Sequence, residues 1–295
     1  MTDTQTWLVT GASRGLGLAL TRAALGAGHR VVATTRSGRL PVQHARLTVL
    51  ALDVQDRGAC QEAVDKAVEA GGGRLDVLIN NAGYGLVGSV EEVAEAEARA
   101  IVDTDLLGPL WLTQAALPAM RAQGSGHILQ ISSVGGVGAM PFFGLYNAAK
   151  WGLEGFSEAL AGEVAAFGVR VTIAEIGAMD TEWATGSMRF SSPLGAYDDL
   201  RAATLGTSTV PWESEPGATG GGTAPAEIAD RLVRHIASPG PGPLRLVLGD
   251  DAPAQIAAAM RRRQQDYADD PPEPVAAPDG AQAARRLFGP SPRVR

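Results

Sequence analysis

One cysteine, Cys60, is the whole sulfhydryl complement of this 295-residue chain, so no intrachain disulfide can form. Histidine is nearly as scarce: His29, His44, His127 and His235 lie scattered without the spacing of metal ligands, and no metal site is expected. Basic charge is also in short supply, with 25 Lys+Arg against 32 Asp+Glu and a net charge of −7. That balance argues against nucleic acid as a partner and leaves no basic tract for a membrane surface. No apolar run approaches the ~18 residues of a membrane span. The opening MTDTQTWLVTGAS has no basic stretch leading into an apolar one, so no targeting segment is read there. A cytoplasmic protein in a reducing compartment is expected, without membrane insertion.

What the chain has is a 45% hydrophobic composition, enough for a substantial core. Short runs rich in Val, Ile and Leu alternate with longer helical patterns: TWLVT, RVVATT, RLTVLALD, RLDVLIN, GHILQIS, VRVTIAEI and LRLVLG. Strands that are apolar throughout are covered by helices on both faces, so the fold class is α/β, a doubly wound parallel sheet of about seven strands. Residues 181–224 lose periodicity and fill with Gly, Ser, Thr and Pro, a long loop with room for short helices. Residues 1–267 are expected to form one catalytic domain. Residues 268–295, rich in Pro and Ala, read as a mobile tail, whose Arg285, Arg286, Arg293 and Arg295 are read as solvated or, less simply, as a docking patch for an acidic partner.

Directly after the first strand run comes TGASRGLG, with Gly11, Gly15 and Gly17 framing Ser13, Arg14 and Leu16 ahead of an apolar helix. Glycines there allow a tight turn and bring backbone N–H groups to a pyrophosphate at the positive end of the helix. An NAD site usually places a carboxylate at the end of the second strand, against the ribose 2′-hydroxyl. This chain has Thr35 and Arg36 there, and Arg14 inside the turn. Two guanidiniums suit a 2′-phosphate, so NADP(H) is the expected cofactor, with two solvated arginines as the alternative. Further on, in GLYNAAKWGLEG, Tyr146 and Lys150 stand four residues apart at the start of a helix and so share one face.

With TGASRGLG, LDV, NNAG, ISSVGG and YNAAK in this order, residues 5 to about 265 resemble the short-chain dehydrogenase/reductase family, and most of all its 17β-hydroxysteroid and retinol dehydrogenase branch. The resemblance implies that Asp53 and Val54 contact the adenine and that Asn81, Ala82 and Gly83 pass under the cofactor ribose. The family's serine lies thirteen positions before the tyrosine, which selects Ser133, with Ser132 as the fallback. Tyr146 is then the acid that protonates the alkoxide formed when a carbonyl is reduced, Ser133 donates to the same oxygen, and Lys150 holds the ribose. An ordinary tyrosine titrates near ~10. A positive charge ~4 Å away is worth about 4 kcal/mol at an effective dielectric of ~20, about three pKa units, and burial opposes it. A phenol shifted toward neutrality is expected.

Two positions depart from the family pattern. Asp105, in VDTDLLG, replaces an asparagine that anchors a relay water, and a carboxylate there would cancel part of the Lys150 field on Tyr146. In EIGAMDT, Ile176 replaces a proline, which is expected to loosen the turn. Gly177, Ala178, Met179 and Thr181 remain to meet the nicotinamide carboxamide by resemblance. The stretch from Thr181 to Trp212 concentrates Trp183, Phe190, Tyr197 and Trp212, with Met188, Leu194 and Leu200 among them. Two interpretations stand side by side: an apolar lid for a bulky hydrophobic carbonyl or alcohol substrate (steroid, retinoid or polyketide-like), formed by Trp183, Met188, Phe190 and Tyr197, or simple packing of the loop. A homodimer or homotetramer through the helices carrying Asp105 and Tyr146 is implied by resemblance. A cofactor-binding sensor or scaffold without catalysis is the competing class.

Overall fold

The computed structural model describes residues 4–212, 219, 221–240 and 242–269. Seven parallel strands form one sheet: β1 (Thr6–Val9), β2 (Arg30–Thr35), β3 (Leu47–Ala51), β4 (Val77–Asn80), β6 (Gly126–Ile131), β7 (Val169–Ile176) and β9 (Arg245–Leu248). Their order is β3-β2-β1-β4-β6-β7-β9. All seven coincide with the apolar runs read from sequence. A separate parallel pair, β5 (Leu86–Val87) with β8 (Arg189–Phe190), was not anticipated.

Alternate residues of each strand feed different cores, as a side-chain period of two requires. Trp7, Val9 and Ile79 face one side with α1 (Gly15–Gly26) and α7 (Pro225–Ala237). Leu8, Leu78 and Ile128 face the other, with α2 (Arg57–Ala70) and α4 (Gly108–Gln123). Helix α2 starts where the Asp56 carboxylate accepts from Ala59 N–H at 3.0 Å, an N-cap. Helix α4 stops at Gly124, in the left-handed region at φ 67°, which a side chain would disfavour. The remaining helices are α3 (Glu95–Val102), α5 (Gly144–Val164), α6 (Asp198–Leu205) and α8 (Ala252–Asp269).

Strand order reverses between β1 and β4, and at such a point the carboxyl ends of the strands open a crevice. The glycine turn follows β1, and the Asn81–Gly83 segment follows β4, so both sequence motifs arrive at this crevice.

Residues 181–212 are more ordered than their composition suggests: a π-helical turn Trp183–Ser187, then β8, a short turn of helix Gly195–Tyr197, and α6. Arg201 of α6 is buried and pairs with buried Glu92 and with Asp198. Glu92 also accepts from Leu194 N–H at 2.7 Å and Ser89 N–H at 2.7 Å, so one carboxylate ties this segment to the turn after β5.

Compact packing divides the chain into Met1–Ala259 and Met260–Arg295. The first unit ends short of residue 267, the boundary read from composition, because α8 continues as helix past the last packed residue. The tail from residue 270 onward, with Arg285, Arg286, Arg293 and Arg295, lies outside the described residues, as do 213–218.

On the α7 side of the sheet, Thr172 of β7 bridges two imidazoles, at 2.9 Å from His127 Nε2 and 3.0 Å from His235 Nε2. Burial, then Arg170 and His235, lower the His127 pKa from 6.5 to about 3. The unfolded chain therefore binds a proton at His127 that the fold refuses, and stability is full above pH ~6.5 and lost on acidification. Between pH 6.5 and 5 that loss is about 2 kcal/mol. Urea unfolding at pH 7 and pH 5 should show wild type losing about 2 kcal/mol more than His127→Gln. Equal losses would mean His127 is protonated in the fold.

Candidate active site

The crevice is a cavity of about 1090 Å³ that runs from the glycine turn to the Trp183–Phe190 segment. That is at the upper end of the ~300–1,000 Å³ usual for ligand pockets and suits an elongated molecule. At its phosphate end Gly11 and Gly15 adopt φ of 65° and 54°, where a side chain would be strained. A methyl on Gly11 would also meet Ala82 Cα at 2.7 Å. Thr10, which sequence inspection passed over, accepts from the N–H groups of Asn81 and Ala82, both at 3.0 Å. Asn81 Nδ2 donates to Thr10 O and Gly11 O, so its side chain braces the turn and its backbone lines the cleft.

All the residues expected to meet a dinucleotide line this one cavity: Ser13, Leu16, Gly17, Thr35, Arg36, Asp53, Val54, Gly83, Gly177, Ala178, Met179 and Thr181 among them. The two arginines differ. Arg36 is exposed at the cleft and has no partner among the described residues. Arg14 donates to Gly186 O and Ser187 Oγ, each at 2.7 Å, and lies 3.5 Å from Glu182. Thr35 is buried, with its hydroxyl accepting from Arg39 N–H at 3.1 Å; it shapes the turn.

The turn after β7 is held by β9 and by the start of α8. Ile176 is buried and in register with Leu248 of β9, and the Asp251 carboxylate accepts from Ala178 N–H at 3.1 Å. Asp251 thus braces the turn.

At the other end Tyr146 and Lys150, on the buried face of α5, reach the cleft with Ser133. Ser133 Oγ accepts from Gly135 N–H at 3.1 Å, which leaves its proton to donate, and it lines the cleft beside the Tyr146 phenol. Lys150 Nζ lies 5.8 Å from the Tyr146 ring centroid and donates to Ile131 O at 3.1 Å. Asp105 lies in a π-helical turn, Asp103–Leu107, inserted between α3 and α4, a local widening of the helix that is frequent at functional sites. That turn points the carboxylate inward, fully buried, with Oδ2 3.2 Å from Lys150 Nζ. The approach has ion-pair distance without hydrogen-bond alignment, and Oδ1 accepts from Tyr84 N–H at 3.1 Å. Gly83 faces the same carboxylate, where a methyl would meet Oδ2 at 2.7 Å.

The electrostatic consequence corrects the expectation of an acidified phenol. Burial raises the Tyr146 pKa above 10; Lys150 and Ser133 oppose this, and Asp105 adds to it, so the net shift is upward. Burial by itself would lower Lys150, but Asp105, then Tyr146 and Glu154, carry it above its ordinary value. Asp105 itself is raised by burial, against Lys150 and the Tyr84 amide. Lys150 is therefore a cation whose field is shared with a buried carboxylate.

Trp183 packs against Tyr146 with ring centroids 5.6 Å apart, and Trp183, Met188 and Phe190 line the cleft with Leu86. Phe190 meets Trp212 edge-on at 4.6 Å. Tyr197 does not belong to this wall: its hydroxyl donates to Glu91 at 2.7 Å and its ring packs edge-on against Phe142. Leu194 and Leu200 are exposed. Sequence inspection missed Tyr84, a half-buried cleft phenol that burial and then Asp105 push up to about 12. It also missed Gly85, where a methyl would meet Met188 Sδ and the Trp183 ring. The only signal for either was their place directly after NNAG.

Fold and cleft together define a Rossmann-type α/β protein with a Ser-Tyr-Lys constellation in its switch-point crevice. A family model described as short chain dehydrogenase matches residues 5–190, and the chain belongs to the short-chain dehydrogenase/reductase family, a family of oxidoreductases. It is 38% identical over 255 residues to oxidoreductase BOA17 of Botryotinia fuckeliana, covering 84% of this chain and 90% of that protein. It is 37% identical over 188 residues to human 17-beta-hydroxysteroid dehydrogenase type 1, covering 61% of this chain and 56% of the human protein. Among solved structures, a short-chain dehydrogenase from Streptomyces avermitilis is 34% identical and superposes with a TM-score of 0.79, covering 90% of this chain and 97% of that one. Structures sharing the fold have been solved with NADP and with NAD. Among the described residues no helix is long and apolar enough to cross a membrane, and no His, Cys, Asp and Glu group could hold a metal ion.

Proposed function

We propose that this chain is an NADP(H)-dependent oxidoreductase that interconverts a ketone or aldehyde with an alcohol, acting on bulky hydrophobic molecules of steroid, retinoid or polyketide type. One observation carries it: a buried Tyr146, beside Ser133 and adjoining Lys150, opens onto the same cavity as the glycine turn. The cradle fits a dinucleotide, with strained glycines at the N-terminus of α1 and backbone from Asn81 to Gly83 and from Gly177 to Thr181 along the cavity.

The dinucleotide, when bound, supplies a hydride to the carbonyl carbon. Gly11, Ser13, Gly15, Leu16 and Gly17 hold its phosphates, Asp53 and Val54 its adenine, and Lys150 its ribose. Tyr146, protonated at neutral pH, delivers its proton to the carbonyl oxygen, and Ser133 donates to that oxygen as charge builds on it. Asp105 holds Lys150 in place. Trp183, Met188 and Phe190 exclude water from the reacting carbon and accept an apolar substrate. A cytoplasmic homodimer or homotetramer completes the proposal, supported by the half-exposed Trp151 on α5 and the lone buried cysteine.

NADP preference rests on Arg36. Removing a charge-assisted contact to a 2′-phosphate costs about 1.5–3 kcal/mol, so Arg36→Ala should weaken NADPH binding about 10-fold to 100-fold with NADH binding unchanged, as read by titration calorimetry. Equal weakening of both would remove the basis for NADP. The wider test is a screen of hydrophobic ketones with NADPH, following the nicotinamide absorbance, beside stabilisation of the fold by NADPH and by NADH. Turnover supports the enzyme. Binding with no turnover on any carbonyl supports a sensor or scaffold, for which the Lys150–Asp105 pair is the one favouring observation.

A further inference from the structure

Below the catalytic pair, α5 carries a third buried polar side chain on the same face. Glu154 follows Lys150 by four residues, as Lys150 follows Tyr146, and it is 5% exposed. It does not line the cleft. Its Oε1 accepts from Ser132 Oγ at 2.6 Å. Ser132 is itself buried and precedes Ser133. The same Oε1 lies against Gly136, where a methyl would meet it at 2.2 Å and Ser132 Oγ at 2.6 Å. Asn147, also on α5, holds the middle of this turn by donating to Gly135 O at 2.9 Å. Glu154 thus touches both ends, and Asn147 the middle, of the Ser132–Gly136 turn that presents Ser133.

Behind Glu154 stands Glu175 of β7, 2% exposed, its Oε1 without a hydrogen-bond partner among the described residues, and Glu154 helps to raise its pKa. One cation serves both. Arg245 of β9 lies 3.5 Å from Glu154, 3.2 Å from Glu175 and 2.7 Å from Glu158. Glu158 is the remaining carboxylate, on α5 and exposed. Lys150, one turn earlier on α5, is paired with Asp105 and also acts on Glu154 through its charge. Three carboxylates around one guanidinium, two of them out of water, favour a proton on Glu175, since like charges this close resist joint ionisation.

We infer that Glu154 is a positioning residue for Ser133, and that the proton it shares with Glu175 keeps the Ser132–Gly136 turn in its working shape. With Glu175 protonated, that carboxylic acid donates to Glu154, which stays an acceptor for Ser132. When Glu175 ionises, repulsion displaces Glu154 and the turn loosens. Burial and then Glu154 bring the Glu175 pKa to about 7, so the change falls in the neutral range. The inference rests on the proposed reductase for its kinetic effect, but the turn can be observed without turnover.

Two measurements decide it. The first is amide hydrogen exchange of the peptide spanning residues 132–138 at pH 6 and pH 8, corrected for intrinsic rates. Wild type should lose protection at pH 8, Glu175→Gln should keep it at both, and Glu154→Ala should lose it about 10-fold at both. The second is carbonyl reduction across the same range. Wild-type kcat should fall through pH 7 with KM unchanged, Glu175→Gln should abolish that fall, and Glu154→Ala should lower kcat about 10-fold with KM within twofold. Gly136→Ala, which pushes on the same oxygen, should reproduce the Glu154→Ala pattern if that variant folds poorly. Protection that is unchanged in Glu154→Ala and Gly136→Ala, or a wild-type profile shared by Glu175→Gln, overturns the inference. A wild type that reduces no carbonyl refutes the reductase, and the exchange data still decide the turn.

Discussion

Replacing Tyr146 with phenylalanine should cut turnover at least ~100-fold, the scale of a lost general acid, while NADPH binding stays within a few-fold of wild type. The ring would remain, so the packing against Trp183 at 5.6 Å and Phe143 at 6.3 Å would survive. What is lost is one hydroxyl and its proton. A phenol whose pKa lies above 10 is fully protonated wherever the enzyme is assayed near neutrality, so in the reducing direction every molecule carries the acid in its active form. The same shift disfavours the reverse reaction, because alcohol oxidation needs the phenolate as base. Steady-state kinetics on a hydrophobic ketone, with calorimetry of NADPH binding, separate the two effects. Near-normal turnover of Tyr146→Phe would refute Tyr146 as the acid.

The sheet was legible because its five inner strands are apolar runs covered on both faces, while the edge strands β3 and β9, half-exposed, are still rich in Leu and Val. The cleft was legible because motif order follows strand order: TGASRGLG after β1, NNAG after β4, ISSVGG after β6 and YNAAK opening α5 place their residues at neighbouring carboxyl ends. What stayed hidden depends on distance or depth. Strands of two residues, β5 and β8, have no period to read. Glu92 and Arg201 are 109 positions apart, and nothing local marks either. Arg14 sits in a phosphate-binding turn by sequence, yet its guanidinium reaches Ser187. Glu154 was within reach, since continuing the Tyr146–Lys150 spacing by four leads to it. The sign of the Tyr146 shift could not be read, because it turns on whether burial or the lysine dominates, and burial is a property of the folded chain.

Asp105→Asn should move the alkaline behaviour of this site and weaken the fold together. The buried carboxylate presently divides the field of Lys150, holding part of it away from the phenol. With asparagine the charge is gone but the side chain can still accept from Tyr84 N–H, so local shape is kept. Lys150 would then keep only Ile131 O among its present polar partners, and its positive charge would act on Tyr146 without compensation. The phenol pKa should fall, and the pH at which alcohol oxidation rises should move to lower pH. Leaving one member of a buried pair unpaired costs about 3–5 kcal/mol, so the variant should also unfold at clearly lower urea. The two outcomes have separate causes: the stability loss follows from an unpaired ammonium, the pH shift from the field at the phenol. Superimposable oxidation profiles for wild type and Asp105→Asn would show Asp105 to be electrostatically silent at Tyr146, and a structural anchor for Lys150 only.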